Sequence, residues 1–293
     1  MARKNIFELV EENYNISTEI KKIEELFFTE KYFHKSLFVY SLKDIVSKFL
    51  FSDWKLRGTC ISVDEFLERV NANLPNSYQA NEEQIINYLE VLENFIKLYN
   101  DNSGKLYNEQ GIECNRKFNI EFCELINTLE KRMGLTTREY KDRIIIYPQN
   151  APLEQVVDLC EDEDVQWELI RYVREDLSLS EKRKSLAYLA TNLYIESDKK
   201  ESNAHITDLI DKAENVLNNL HIRHNNKTGK WENELVESID EKDALSLCDM
   251  VFNEMLTIVL LREHKKYDKT YTDFKKEQKA TRTKKKTEVK NKG

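Results

Sequence analysis

A chain of 293 residues, 40% hydrophobic and 33% charged, has apolar material for one large domain or two ordinary ones. Its 6 glycines and 3 prolines are few for that length, which favours long helices over a β-sandwich or a doubly wound α/β enzyme. The net charge of −8 is unevenly spread: residues 265–293 hold 12 Lys/Arg against 4 Asp/Glu, or +8, which leaves −16 on the rest. An acidic body with a basic tail is not the footprint of a dedicated DNA-binding domain.

Helical signals begin at "STEIKKIEELFF", where Ser17 or Thr18 offers a cap and Ile20, Ile23, Leu26 and Phe27 share a face. "SLKDIVSKFLF" repeats the pattern from Ser41, and "SVDEFLERV" carries a capping box, Ser62 with Glu65. "NEEQIINYLEVLENFIKLYN" keeps one apolar stripe from Ile85 to Tyr99, which "DNSGK" should end. "FNIEFCELINTLEKRMG" follows, with Gly134 as its stop. "RIIIYPQNAP" reads as an extended connector with no evident strand partner, and the domain boundary is placed there.

The second half is helical again. Its segments are "PLEQVVDLC", "DVQWELIRYVREDL" with Trp167, Ile170, Val173 and Leu177 inward, and "SEKRKSLAYLATNLYIES" starting at Ser180. "AHITDLIDKAENVLNNLHIRH" and the long "EKDALSLCDMVFNEMLTIVLLREHKKY" complete it, and the short "NNKTGKW" between them suggests an antiparallel pair. The expected fold is therefore all-α: an N-terminal helical domain over 1–142, a C-terminal helical domain over 143–264, and a basic, disordered tail over 265–293.

No secretory signal or uninterrupted apolar run of about 18 residues is present, so a cytoplasmic chain without a membrane partner is expected. The five cysteines are scattered, with no CxxC, and read as reduced, buried small residues. No phosphate-cradling glycine loop, HExxH or GxSxG can be written, and neither a cofactor nor a metal is expected. The acidic run "EDED" at 161–164 reads as a helix start, and Trp54 as a half-buried loop anchor.

One stretch carries candidate chemistry, "NNLHIRHNNKTGKW" at 218–231. His221 and His224 lie one helical turn apart, beside Arg223, and no third metal ligand is recognisable nearby. As a plain helix end, Arg and His would complement the negative terminus while Asn225 or Asn226 took the left-handed cap. As a site, Arg223 offers a planar fork for phosphate, and His224 and His221 can move protons. That chemistry cuts RNA without metal through attack of the 2′-hydroxyl. Asn225, Asn226 and Lys227 would then add RNA contacts.

From "RIIIYPQNAP" through "NNLHIRHNN" to "MLTIVLLREH", about residues 143–264, the chain resembles bacterial abortive-infection proteins with a HEPN-like C-terminal helical domain. The resemblance implies phage defence, an RNA partner, RNase activity and a homodimer whose two motifs face one cleft. In that family the arginine precedes its histidine by four to six intervening residues. Here those positions are Thr228, Gly229 and Lys230, while Arg223 and His224 are adjacent. The alternative is a non-catalytic scaffold whose acidic helical body binds a protein partner.

Overall fold

The computed structural model describes residues 14–34, 37–74, 80–113, 115–195, 204–219 and 239–290. The described residues are predominantly helical, 73% helix against 9% strand. It divides into two compact units, Met1–Pro148 and Gln149–Gly293.

The first unit opens with α1 (Ile16–Phe28), capped by Asn15, whose side chain accepts the Thr18 amide, rather than by Ser17 or Thr18. Strands β1 (Tyr32–His34) and β2 (Leu37–Tyr40) follow, then α2 (Leu42–Ile45), which runs on as a π-turn through Val46–Leu50. Ser41 and Asp44 close a reciprocal box at the start of α2. At α3 (Val63–Arg69) Ser62 accepts the Glu65 amide as expected, but the Glu65 carboxylate turns back to the amide of Ile61.

The long helix α4 (Glu82–Gln110) does not end at "DNSGK". It passes through Gly104 for two further turns, because Leu106 becomes core at its far end and Gly111, at φ 66°, supplies the left-handed stop. Its interior row, Ile85 to Tyr99, is buried as its spacing predicts. Next come β3 (Ile112–Glu113), α5 (Arg116–Arg132) and a hairpin of β4 (Leu135–Tyr140) and β5 (Arg143–Pro148).

Among the described residues, two small antiparallel sheets are the main departure from the all-α expectation. One has strand order β2–β1–β3, with Phe33 opposite both Phe38 and Glu113. It is anchored by Tyr32, whose ring packs on Tyr99 and Phe118 and whose hydroxyl donates to Asn119 at 2.7 Å. The other is the hairpin, in which Ile144, Ile145 and Ile146 face Glu139, Arg138 and Thr137. "RIIIYP" is thus a paired strand of the first unit and not a connector, and the division between units falls after Pro148. Lys141 and Asp142 both take positive φ, the two-residue turn whose twist matches the strands.

The second unit holds α6 (Ala151–Leu159), α7 (Glu163–Arg174), α8 (Leu179–Asn192), α9 (Ala204–Asn219) and α10 (Glu241–Lys290). Asn150 caps α6, with Pro152 in its first turn, and Asp162 caps α7 by accepting two amides, so "EDED" is a helix start. The cap of α8 is Ser178, boxed with Glu181, two residues before the expected Ser180. On α7 the buried residues are Val165, Leu169, Ile170 and Tyr172, while Trp167 and Val173 are only half-buried, so the stripe is rotated from its predicted phase.

Helix α10 packs against α6, α8 and α9, and its broad apolar coverage is used inside this unit. By length and composition alone it could cross a membrane, at a mean hydropathy of 1.7 over its most apolar stretch. Ala244, Cys248, Val251, Phe252, Met255 and Ile258 are nevertheless core residues here. The helix continues through Lys290 where a disordered tail was expected. Lacking Gly and Pro and rich in Lys, Glu, Gln and Arg, that segment has high helix propensity, helped by the i,i+3 pairs Lys266–Glu263 and Lys276–Asp273.

Candidate functional site

His221, Arg223, His224, Asn225, Asn226 and Lys227 all lie outside the described residues. Their frame is described. Ile206, Ile210, Ala213 and Leu217 form the buried face of α9, which packs on α10, so residues 220–238 join two helices that share one core. On the rim of that contact Lys212 pairs with Asp208 at 2.7 Å, and Glu254 of α10 lies within their field. Burial raises the Glu254 carboxyl above its ordinary value, and Lys212 draws it back down.

A polar cluster of this unit lies where α7 and α8 meet α10. The Tyr172 ring stacks on Phe252, 4.2 Å between centroids and 7° between planes, and its hydroxyl donates to Asp249 at 3.1 Å. The Lys182 ammonium pairs with the same carboxylate oxygen and sits over the Tyr172 ring. Burial and the Asp249 charge push the Tyr172 phenol well above its ordinary range. Burial likewise raises the Cys248 thiol to about 11, against the pull of Arg183 and Lys182. A neutral phenol, a protonated thiol and a carboxylate already engaged by two donors make a clamp rather than a nucleophile with its base.

Asp249→Ala should therefore behave as a structural lesion. It leaves Lys182, whose side chain is only 15% exposed, without its carboxylate. We expect a loss of about 2 kcal/mol in urea unfolding of the second unit, and about half that for Tyr172→Phe, which keeps the stack and the ion pair. An Asp249→Ala variant as stable as the parent would remove the clamp from consideration.

The first unit holds a second concentration of perturbed groups, between α4 and α5. Glu130 is 3% exposed, and its Oε1 has no hydrogen-bond partner among the described residues. Burial, then the charge of Glu93, raises its carboxyl to about 8. Glu93 is raised to about 7 by burial and by Glu90, and the nearby Cys123 thiol is pushed up by burial and by both acids. The apolar periodicity of the sequence did not single out Glu93 or Glu130. The available signal was positional, since Glu93 and Glu130 each follow a fully buried residue, Leu89 and Ile126, by one helical turn.

Among the described residues no three His, Cys, Asp or Glu side chains are grouped to hold a metal ion. Trp54 is a half-buried anchor packed edge-on against Phe66 and Phe95, and the neighbouring Arg57 donates to the carbonyls of Ser52 and Cys60. No family model, curated protein or solved structure matches this chain.

Proposed function

We propose that the chain is a cytoplasmic bacterial defence protein of the abortive-infection type. In this reading its second unit is a HEPN-like helical domain that engages RNA through Arg223, His224, Asn225, Asn226 and Lys227. The observation that supports it most is that the link bearing these residues joins α9 and α10, two helices packed together in the core of that unit. A short polar Arg/His/Asn motif between the last two core helices is the arrangement that the family resemblance implies. A rigid helical frame also suits a site that must hold phosphate in one geometry.

The chemistry assigned is metal-independent. His224 takes the proton of a 2′-hydroxyl, whose oxygen attacks the adjacent phosphorus. His221 protonates the departing 5′-oxygen, leaving a 2′,3′-cyclic phosphate. Arg223 holds two phosphate oxygens and offsets the charge that builds in the transition state. The adjacency of Arg223 and His224, unlike the spaced pair of the family, favours one competing reading, a non-catalytic scaffold with the same domain.

Purified protein incubated with total RNA in EDTA separates the two. Discrete cleavage is expected from the parent chain. Arg223→Lys should already impair it by about tenfold or more, because a point charge cannot replace the bidentate fork. His224→Ala should abolish cleavage while RNA binding survives, and His221→Ala should do less. Wild-type cleavage by both the Arg223→Lys and His224→Ala proteins would end the catalytic assignment. RNA binding that is indifferent to all three changes would favour the scaffold.

A further inference from the structure

Beyond the core of the second unit, residues 264–267 and 270–276 of α10 are exposed, and their surface is not an ordinary charged face. Three aromatic rings stand on it with most of their area open: Tyr267 at 66%, Tyr271 at 57% and Phe274 at 54% exposure. Their i, i+4, i+7 spacing puts them within about 60° of one another around the helix and along about 10 Å of its axis. Lysines stand among them. The Lys275 ammonium lies 4.7 Å from the centroid of the Tyr271 ring. From residue 275 to 290 the sequence adds eight Lys/Arg against two Glu.

Three exposed aromatic side chains in two turns are costly to leave in water, so the stripe calls for an occupant. A second copy of the helix fits poorly. A coiled-coil seam needs three or four heptads, and the next positions in this row are Gln278, Thr281 and Lys285. The +8 of residues 265–293 complements a polyanion. Open rings interleaved with ammonium groups match the bases and phosphates of an unpaired strand, because stacking needs bases that duplex pairing would hide.

We propose that α10 from Lys265 to Lys276 is an arm that binds single-stranded RNA, with Tyr267, Tyr271 and Phe274 stacking on bases and its lysines meeting phosphates. It rests on the RNA reading above and adds the form of RNA engaged. The arm captures an unpaired segment, with a preference for base exposure and not for sequence, and raises its local concentration near the motif of the same unit. Its contribution to binding weakens steeply with salt, as phosphate contacts by lysine require.

Fluorescence anisotropy on the full chain tests this with a labelled, unstructured oligoribonucleotide and with a duplex of matched length. The variant Y267Q/Y271Q/F274Q removes the rings and keeps every lysine. All three positions are exposed, so the fold is expected to persist, and unchanged helix content by circular dichroism checks it. Single-strand affinity should fall by about tenfold or more, while duplex binding and its salt dependence stay near those of the parent. Replacing the same three residues by tryptophan should preserve single-strand binding.

Equal single-strand affinity in the glutamine variant overturns the arm. So does a variant whose loss appears instead in molecular mass by light scattering, or in binding to anionic vesicles. Arg223→Ala with His224→Ala, measured in parallel, separates the two assignments. If that pair binds RNA normally while the glutamine variant does not, the arm stands and the motif falls; the reverse removes the arm alone.

Discussion

Replacing Glu130 by Gln should stabilise the first unit at pH 8 by roughly 2 kcal/mol and flatten its dependence on pH. Glu130 is buried, has one oxygen without a partner among the described residues, and faces the charge of Glu93. Its folded carboxyl titrates near 8 against an ordinary value of 4.5, and that of Glu93 near 7. The fold therefore keeps protons that the unfolded chain has released. For an acid whose folded value is raised, the stabilisation is complete below about 4.5 and is lost as the pH climbs to about 8. The parent chain should be most protected near pH 5, and glutamine should imitate the protonated acid at every pH.

Hydrogen exchange in the peptides of α5 reads this locally, without requiring both units to unfold together. The expected pattern is faster exchange at pH 8 than at pH 5 in the parent, after correction for intrinsic rates, and a smaller difference in the variant. Equal pH dependence in the two proteins would mean that Glu130 is hydrated and carries its charge without cost. Because Cys123 lies in the field of both acids, its labelling by a thiol reagent should be slow in the parent across the same range.

How much of this was legible in the sequence depended on how far each signal reached along the chain. A helix whose apolar row runs for several turns, Ile85 to Tyr99, came through with the correct buried face. The strands did not, since β3 is two residues long and is recruited by tertiary contacts around Tyr32 and Asn115. The hairpin was missed because its turn uses Lys141 and Asp142 at positive φ, where Asn-Gly or Gly-Gly would have announced it. Tyr172 rotated the stripe of α7 because its hydroxyl finds Asp249 across the unit, a reward that periodicity cannot register.

The candidate site divides differently. The polar link from His221 to Lys227 stood out by composition alone, and it lies outside the described residues. The aromatic arm was hidden by its own neighbours, since Tyr267 and Tyr271 amid lysines read as tail. Only a continuous helix aligns them with Phe274. Sequence composition thus found the residues that differ from their surroundings, while the structure found those whose significance comes from spacing.

The hairpin offers the other large effect, at Asn94. Strand β5 turns one edge toward α4, and two side chains of that helix take the place of a neighbouring strand. The Asn94 carboxamide donates to the Ile144 carbonyl at 2.7 Å and accepts the Ile144 amide at 2.9 Å, while Glu90 accepts the Ile146 amide at 2.8 Å. Asn94→Ala leaves both backbone groups of Ile144 without their partners at a part-buried site, which should cost about 3 kcal/mol. Asn94→Asp is the sharper test. Its carboxylate can still accept from the Ile144 amide but opposes the Ile144 carbonyl, and it joins Glu90 and Glu93 on the same stretch of helix. Protonation restores a donor, so the Asn94→Asp protein should regain much of its stability as the pH falls from 7 toward 4. The Asn94→Ala protein should lack that additional recovery. If the two substitutions cost the same at both ends of that range, the carboxamide is not what holds the strand to the helix.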